Sequence, residues 1–168
     1  MKQRHYYLNK LGIKSDDPCI FNTGNKQYSQ KRYKKERLKH GFDSRELWSM
    51  EYTSACWLYE HIKLYKKIAG KMVDLNFHTF YIPVFYEISE NELEYDGHNL
   101  PKKYLQTQIE TRTQLEAINF IIQYLEFYLK YDDTEEDLDK INKNEQIAYE
   151  YLQGAFRIYA EILPSMWW

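Results

Sequence analysis

The chain has 168 residues, of which 43% are hydrophobic and 29% are charged, and its formal net charge is −2. These proportions are those of an ordinary globular protein, and they exclude a wholly disordered chain. The longest apolar run, residues 80–86, is far shorter than the roughly 18 to 20 residues that a membrane-spanning helix needs. We therefore expect one globular domain without membrane association.

Two features predict a reducing, intracellular location. The chain contains two cysteines, Cys19 and Cys56, too few for a disulfide framework or a four-ligand zinc site. The basic residues 1–7 are followed by neither a continuous apolar stretch nor a small-residue cleavage site, so they do not predict a secretory signal. Cys56 falls on the apolar stripe of a predicted helix, where a buried structural thiol is expected rather than a nucleophile.

Charge is segregated along the chain. Residues 1–71 contain 16 Lys and Arg against 7 Asp and Glu, whereas residues 72–168 contain 7 against 18. Two halves of opposite charge neutralise each other if they pack together, and each attracts an oppositely charged partner if they do not. The same pattern is compatible with self-association, either head to tail or in a closed dimer.

The first part of the chain predicts an irregular arm and then helices. Residues 1–26 show no sustained period and contain Gly12, Pro18 and Gly24, so we expect an irregular N-terminal arm followed by a single helical domain over residues 27–168. A short basic helix is predicted over residues 27–40. Asp43, with Glu46 three residues later, then predicts the start of the helix that continues to residue 69.

Residues 77–96 change the period from helical to extended. Alternating apolar positions on either side of Pro83 predict a small hairpin or a pair of extended segments in this range, and Asp96-Gly97 is a turn signal. Pro101 suits the first position of a helix. That helix is predicted to break or continue at Thr113, which has capping-box spacing to Glu116.

The C-terminal third carries the strongest helical periodicity. Apolar residues recur at intervals of three and four over residues 115–129 and again over residues 138–162, and the connection between these segments is short. We expect an antiparallel helix pair, with Trp167 and Trp168 docked into the core. The predicted fold is mainly α: a single domain of about four principal helices with a small extended or hairpin insertion near residues 77–96.

The motifs of common catalytic and metal sites are not found. The six glycines do not form a phosphate-binding loop, and there is no HExxH pair. Asp74 and His78 lie four residues apart, but an Asp and a His in a turn more often satisfy backbone groups than hold a metal. The acidic run over residues 132–139 lacks the ligand order of a calcium loop and is interpreted as a solvated helix start. We therefore predict no catalytic residue, no metal and no cofactor, with an unfamiliar enzyme centred on His61, Asp74 and His78 as the alternative.

The basic stretch over residues 31–40 is the most plausible functional patch on physical grounds. Its cations could contact nucleic-acid phosphates, and Tyr28 and Tyr33 could stack on bases. The other interpretation is a solvated face, or one paired with the acidic half. The residues predicted for nucleic-acid binding are Lys31, Arg32, Lys34, Lys35 and Arg37.

Four short stretches form one recognisable pattern: residues 41–48 (GFDSRELW), 57–59 (WLY), 63–66 (KLYK) and 163–168 (LPSMWW). These stretches resemble a widespread group of small proteins of unknown function encoded by tailed bacteriophages. The resemblance covers the central third and the last residues, and it supplies no catalytic residues. It implies a phage or prophage product that acts in the host bacterial cytoplasm.

The resemblance, the split charge and the 17 tyrosines together favour a non-enzymatic binding protein. We predict that it counters host defence, either by occluding a host protein or by sequestering a nucleotide signal. An anionic ligand would need an aromatic and basic pocket, for which the candidates are Arg45, Trp48, Tyr52 and Lys66. The alternative function is a nucleic-acid-binding phage accessory protein that uses residues 31–39.

Overall fold

The computed structural model of the chain describes residues 6–12, 35–36, 38–40, 50–95, 97, 101–131 and 138–166. The chain divides into two compact units, Met1–His61 and Ile62–Trp168. Four α-helices are numbered: α1 (Tyr6–Lys10), α2 (Met50–Ala69), α3 (Gln114–Lys130) and α4 (Leu138–Ile162). Residues 35–36 and 38–40 are helical as well. The strands are β1 (Thr79–Glu87) and β2 (Leu105–Thr113), and single 3-10 turns occupy Glu90–Glu92 and Leu163–Ser165.

The prediction of a mainly α fold is confirmed, and the described residues also form a two-stranded antiparallel sheet of which β1 lies within the predicted insertion. The number of principal helices stays a prediction, because residues 13–34 and 41–49 lie outside the described residues. So do Trp167 and Trp168, and with them the prediction that they dock into the core. Residues Tyr6–Lys10 form a short helix inside the range expected to be irregular. Across the described ranges, no helix is both long enough and apolar enough to cross a membrane.

In the first unit, α1 contributes a buried leucine and a hydrogen bond to the N-terminal part of α2. The side chain of Leu8 is fully buried, and its backbone N–H donates to Glu60 Oε1 at 2.7 Å. Ala55 and Leu58 of α2 are fully buried as well. Cys56 is 3% exposed and unoxidised, which confirms the prediction of a buried thiol.

The sheet is larger than the predicted insertion. β1 pairs antiparallel with β2 in one continuous register from Thr79 opposite Thr113 to Glu87 opposite Leu105. The prediction that a helix begins at Pro101 was wrong: Pro101 forms an isolated bridge with Tyr95, and a strand follows. The physical reason is β propensity, since β2 places a β-branched residue at every second position from residue 107 to residue 113.

Thr113 ends the strand and caps the helix that follows it. Its Oγ1 accepts a hydrogen bond from Glu116 N–H at 3.2 Å, while its own N–H donates to Glu116 Oε2 at 2.8 Å. This reciprocal capping box satisfies two amides and starts α3 at Gln114. The capping signal in the sequence is therefore confirmed as a helix start, not as the continuation of an earlier helix.

The predicted antiparallel helix pair is present in the second unit. Tyr131 Oη donates to the carbonyl of Ile141 at 3.3 Å, joining the end of α3 to the beginning of α4. Further into the pair, the rings of Phe127 and Tyr151 lie 4.7 Å apart. The core between the two helices is formed by fully or almost fully buried aliphatic side chains: Ile118, Ile121, Leu125, Ala148, Leu152, Ala155 and Ile158.

Gly154 allows β1 to approach α4 closely. A Cβ added at residue 154 would collide with the ring of Phe85, whose Cζ would lie 2.9 Å from it. The Phe85 ring also contacts Tyr124 edge-on at 5.4 Å and Tyr151 at 6.2 Å, so it has little room to move. A glycine in the helix interior costs conformational entropy, and here that cost is offset by packing of the strand on the helix pair.

We expect Gly154→Ala to lower the free energy of unfolding by about 1 to 3 kcal/mol, because overpacking displaces Phe85. The measurement is urea unfolding followed by circular dichroism. Adding Phe85→Leu to the Gly154→Ala variant should recover part of the loss, since the smaller side chain leaves room for the new methyl group. Strictly additive effects of the two substitutions would contradict this account.

Candidate functional site

The structure describes two of the four residues predicted to bind an anionic ligand. Tyr52 is half-buried on α2, and Lys66 Nζ donates to Asn119 Oδ1 of α3 at 2.7 Å. Arg45 and Trp48 lie outside the described residues. The aromatic and basic pocket that these residues would form therefore stays a prediction.

The predicted nucleic-acid patch is described at one position. Lys35 is exposed and helical, as are residues 38–40, which agrees with the expected basic helix. The other predicted cations, Lys31, Arg32, Lys34 and Arg37, fall outside the described residues. Nucleic-acid binding by this segment also stays a prediction.

The structure describes all three residues of the alternative enzyme hypothesis, His61, Asp74 and His78. The His61 ring is stacked on Trp57 at 4.2 Å, and its Nδ1 lies 2.7 Å from the carbonyl of Trp57. Asp74 Oδ1 accepts a hydrogen bond from Asn76 N–H at 2.9 Å, which is the local turn contact expected for this residue type. His78 is exposed. No group of three or more His, Cys, Asp and Glu side chains that could hold a metal occurs in the described part of the chain.

The register of the hairpin decides which backbone groups face its two outer edges. Ile88 N–H donates to Tyr104 O and Gln114 N–H donates to His78 O, so even-numbered pairs carry the bonds between the strands. In an antiparallel ladder the alternate residues point their N–H and C=O groups away from the partner strand. The odd-numbered residues of β1 and β2 therefore face outward.

The outer edge of β1 is covered by the helix pair. Phe85 N–H, which faces away from β2, donates to Tyr124 Oη of α3 at 2.9 Å. Pro83 lies at another outward-facing position, where its missing N–H removes no bond to β2. This explains why a proline stands in the middle of a strand and does not divide it into two. Burial raises the pKa of Tyr124 to about 12, and the hydrogen bond from Phe85 opposes this shift.

The outer edge of β2 is open in its middle, where no described residue forms a hydrogen bond with it. Residues 106–109 are all exposed, with Ile109 66% exposed. The outward-facing amides of Leu105 and Thr113 are bonded to Glu150 and Glu116. By contrast, those of Thr107, Ile109 and Thr111 have no partner among the described residues. A row of unpaired backbone groups of this kind is a template for another strand.

Different side chains line the two faces beside this open edge. Tyr81, which is 74% exposed, lies diagonal to Ile109 on one face, so an apolar patch adjoins the edge. On the other face, Arg112 forms an ion pair with Glu110, which also accepts a hydrogen bond from Tyr86 Oη. This hydrogen bond raises the pKa of the Tyr86 hydroxyl. The edge is therefore apolar on one side and charged on the other.

A second candidate site is a half-open pocket of about 340 Å³ beside the N-terminus of α3. Its lining comes from the end of α2, the loop before β1, the start of α3 and the C-terminal 3-10 turn. The lining residues are Tyr65, Val73, Asp74, Phe77, His78, Gln114 and Ser165. They include a carboxylate, an imidazole, an amide and two hydroxyl groups beside apolar and aromatic surface, so the lining is mixed.

Gln114 is the polar residue that the described core buries most deeply, at 3% exposure. Its Nε2 donates to Tyr65 Oη at 3.4 Å and to Ser165 Oγ at 3.3 Å. Ser165 can accept because its own hydroxyl donates to the carbonyl of Ile162 at 2.7 Å. No described group donates to Gln114 Oε1. Gln114 Oε1 is not among the fully buried side-chain atoms that lack a partner in the described part of the chain, so this oxygen is reached by solvent and can accept from a ligand.

The first amides of α3 have no capacity left for an anion. Gln114 N–H donates to the carbonyl of His78 and Leu115 N–H to that of Leu75, both at 3.0 Å. The next amide, of Glu116, is bonded to the capping threonine. The pocket is therefore unsuited to a phosphate group, even though it lies at a helix N-terminus, where phosphates often bind.

Comparisons with family models, with curated proteins and with solved structures found no match to this chain. The interpretation of both candidate sites therefore depends on their geometry alone.

Sequence reasoning missed the β2 edge and Gln114, whereas Asp74 and His78, which line the pocket, were already candidates of the alternative enzyme hypothesis. The open edge was missed because Pro101 predicts a helix where β2 follows, although the alternating β-branched residues of β2 were the available signal. The sequence places Gln114 only beside a capping box. Its burial depends on Tyr65 and Ser165, which lie 49 and 51 residues away in the chain, and no local pattern reports such contacts.

Along β2, amides alternately face away from β1 and toward it. Proline at two adjacent positions should therefore destabilise the protein to different extents. Thr107→Pro removes an outward-facing amide and should change the free energy of unfolding by less than about 1 kcal/mol. Gln108→Pro removes an amide that bonds to β1 and should cost at least about 2 kcal/mol more. Urea unfolding of both variants measures the difference. Equal destabilisation would show that the assignment of inward and outward positions is wrong.

Tyr124→Phe should lower the free energy of unfolding by about 1 to 3 kcal/mol, because the amide of Phe85 loses its acceptor. The substitution should also change the dependence on pH. The folded-state pKa of about 12 exceeds the usual value of 10.0, so the contribution of Tyr124 is complete below pH 10 and is lost between pH 10 and 12. Stability measured across that range should therefore fall less steeply in the variant than in the wild type. Parallel curves would contradict this assignment.

Proposed function

We propose that this chain is a non-enzymatic binding protein, encoded by a phage, that acts in the host bacterium by occluding a host protein through the open edge of β2. The observation that carries the proposal is the row of outward-facing amides at Thr107, Ile109 and Thr111, which no described residue covers. Phage origin and a role against host defence follow from the resemblance of residues 41–48 and of the closing residues to phage proteins.

Strand addition fits the chemistry of this edge. An extended segment that pairs with β2 gains backbone hydrogen bonds that do not depend on its sequence, and side-chain contacts then supply the specificity. Exposed edge strands are commonly blunted by lysine, by proline or by a bulge. β2 has none of these between Gln106 and Thr111, and its register with β1 is uninterrupted.

The side chains beside the edge indicate the chemistry of the partner segment. Tyr81 and Ile109 offer an apolar surface on one face, and the ion pair of Glu110 with Arg112 occupies the other. A matching segment has apolar side chains at alternate positions and polar side chains between them. Such a segment would cover Ile109 and leave the ion pair in contact with water.

A second copy of this chain is the other candidate partner, and a feature of β2 favours it. Residues 107–111 read TQIET, which is nearly the same in both directions around Ile109. An antiparallel pair of β2 strands centred on Ile109 would place Thr107 opposite Thr111 and Gln108 opposite Glu110. Threonine pairs are favourable across antiparallel strands. Self-association is the alternative that the experiment must separate from binding to a host protein.

The test compares the wild type with Thr107→Pro and with the matched control Thr107→Val. Valine keeps the outward-facing amide and the β propensity, whereas proline removes the amide. Each tagged variant is used to isolate the partner from infected bacteria, and calorimetry with the purified partner then measures affinity. We expect a loss of about tenfold or more for the proline variant and little change for the valine variant.

Light scattering of each purified variant measures self-association separately. A wild-type dimer that Thr107→Pro converts to a monomer would assign the edge to a second copy and overturn the proposal of a host partner. A folded Thr107→Pro variant that binds the host partner as tightly as the wild type would exclude the β2 edge as the binding surface.

A further inference from the structure

The pocket beside the start of α3 is lined by two residues that carry acceptor groups, Gln114 and Asp74. Gln114 is 3% exposed, and the described residues offer its Oε1 no donor. Asp74 contributes a carboxylate to the same lining. Its Oδ1 accepts from the backbone N–H of Asn76 at 2.9 Å and from the Asn76 side chain at 3.2 Å, so the group is held in place. The pocket therefore presents oriented acceptors with spare capacity.

The charge of the lining favours a cation. The described lining includes Asp74 and contains neither lysine nor arginine. The backbone amides that begin α3 are already bonded to the carbonyls of Leu75 and His78 and to the capping threonine. An anion would find a carboxylate and no unpaired backbone donor, whereas a ligand with N–H donors would find at least two acceptors.

The aromatic side chains of the pocket favour a planar group. The lining includes the rings of Tyr65, Phe77 and His78, and Phe77 is 79% exposed, so much of its ring surface is accessible. Phe77 and His78 contact each other edge-on at 5.0 Å. A delocalised planar cation is attracted to the face of such a ring and can still donate hydrogen bonds in its own plane.

The volume of the pocket limits the size of the ligand that it can hold. A volume of about 340 Å³ lies at the lower end of the range for small-molecule sites. It suits a guanidinium group with a short aliphatic chain, and it is too small to enclose a dinucleotide. The segments that form it are joined by hydrogen bonds from Gln114 to Tyr65 and Ser165, so the site exists before a ligand binds.

We infer that this pocket is a binding site for a small organic cation of the guanidinium class, with the Asp74 carboxylate and Gln114 Oε1 as acceptors and the ring of Phe77 as the stacking surface. The site is separate from the open edge of β2, so the inference does not depend on the proposed function. The same guanidinium chemistry has two sources: a free small molecule, or an arginine side chain of another protein.

The test uses isothermal titration of the full chain with agmatine, which carries a guanidinium group on a short chain. The matched control ligand is N-carbamoylputrescine, in which a neutral urea replaces the guanidinium. We expect agmatine to bind and the urea analogue to bind about tenfold or more weakly, because it lacks the charge that pairs with Asp74. A capped Ala-Arg-Ala peptide is titrated in parallel. Tighter binding of the peptide than of agmatine assigns the site to a protein arginine, and the reverse assigns it to a free ligand.

Asp74→Asn is the sharpest variant, because asparagine keeps an oxygen that can accept from Asn76 N–H and loses only the charge. It should weaken agmatine binding about tenfold or more without changing the melting temperature. Glu90→Gln removes an equal charge from the exposed 3-10 turn that follows the opposite end of β1, and it should leave binding unchanged. Absence of heat with agmatine at millimolar concentration would overturn the inference, as would equal binding by wild type and Asp74→Asn.

Discussion

The hydrogen bond from the Phe85 amide to the Tyr124 hydroxyl fixes how the hairpin lies on the helix pair. A two-stranded sheet has two edges, and each edge carries backbone groups that need partners. Here α3 supplies a side-chain acceptor to the outer edge of β1, and the glycine at residue 154 lets Phe85 pack against α4. With β1 held between the helices and β2, the remaining unpaired backbone groups fall on the outer edge of β2.

The contact between β1 and the helix pair explains the positions of Pro83 and Tyr124. Pro83 stands in the middle of a strand because its position faces the helices and not β2. Tyr124 is almost fully buried because its hydroxyl has an amide to accept from. Some of the 17 tyrosines thus have structural roles at the contact of strand and helices, where a large apolar ring with a polar tip is required. Others, such as Tyr81, are exposed beside the open edge and are available to a partner.

The two candidate sites lie at places where the secondary structure leaves polar groups without partners. At the edge of β2 these are the backbone amides of Thr107, Ile109 and Thr111, for which the described residues offer no acceptor. In the pocket it is the side-chain oxygen of Gln114, and the Asp74 carboxylate that lines the same pocket is held in place by Asn76. The difference in chemistry explains why the first surface suits a protein partner and the second a small cation. Both sites lie within residues 62–168, the acidic half of the chain by the count of its charges.

The sequence by itself determined the features that depend on neighbours within one or two helical turns. The start of α3 follows from Thr113 and Glu116, which are three residues apart, and the antiparallel pair of α3 and α4 follows from their apolar periodicity and short connection. Burial of Cys56 followed from its place on the apolar stripe of α2. In each case the interaction is local, or depends on a repeat long enough to outweigh single exceptions.

Only the tertiary structure decided the features that depend on distant parts of the chain. The local β propensity of β2 is realised because β1, which residues 88–104 separate from it, offers a complete row of backbone partners. Gln114 is a site residue because Tyr65 and Ser165 bury it from two directions. The open edge exists because, among the described residues, the helices bond only to the two ends of the outer edge of β2, at Leu105 and Thr113. The burial of Gln114 and the coverage of the two hairpin edges leave no local signal in the sequence, because packing between distant segments decides them.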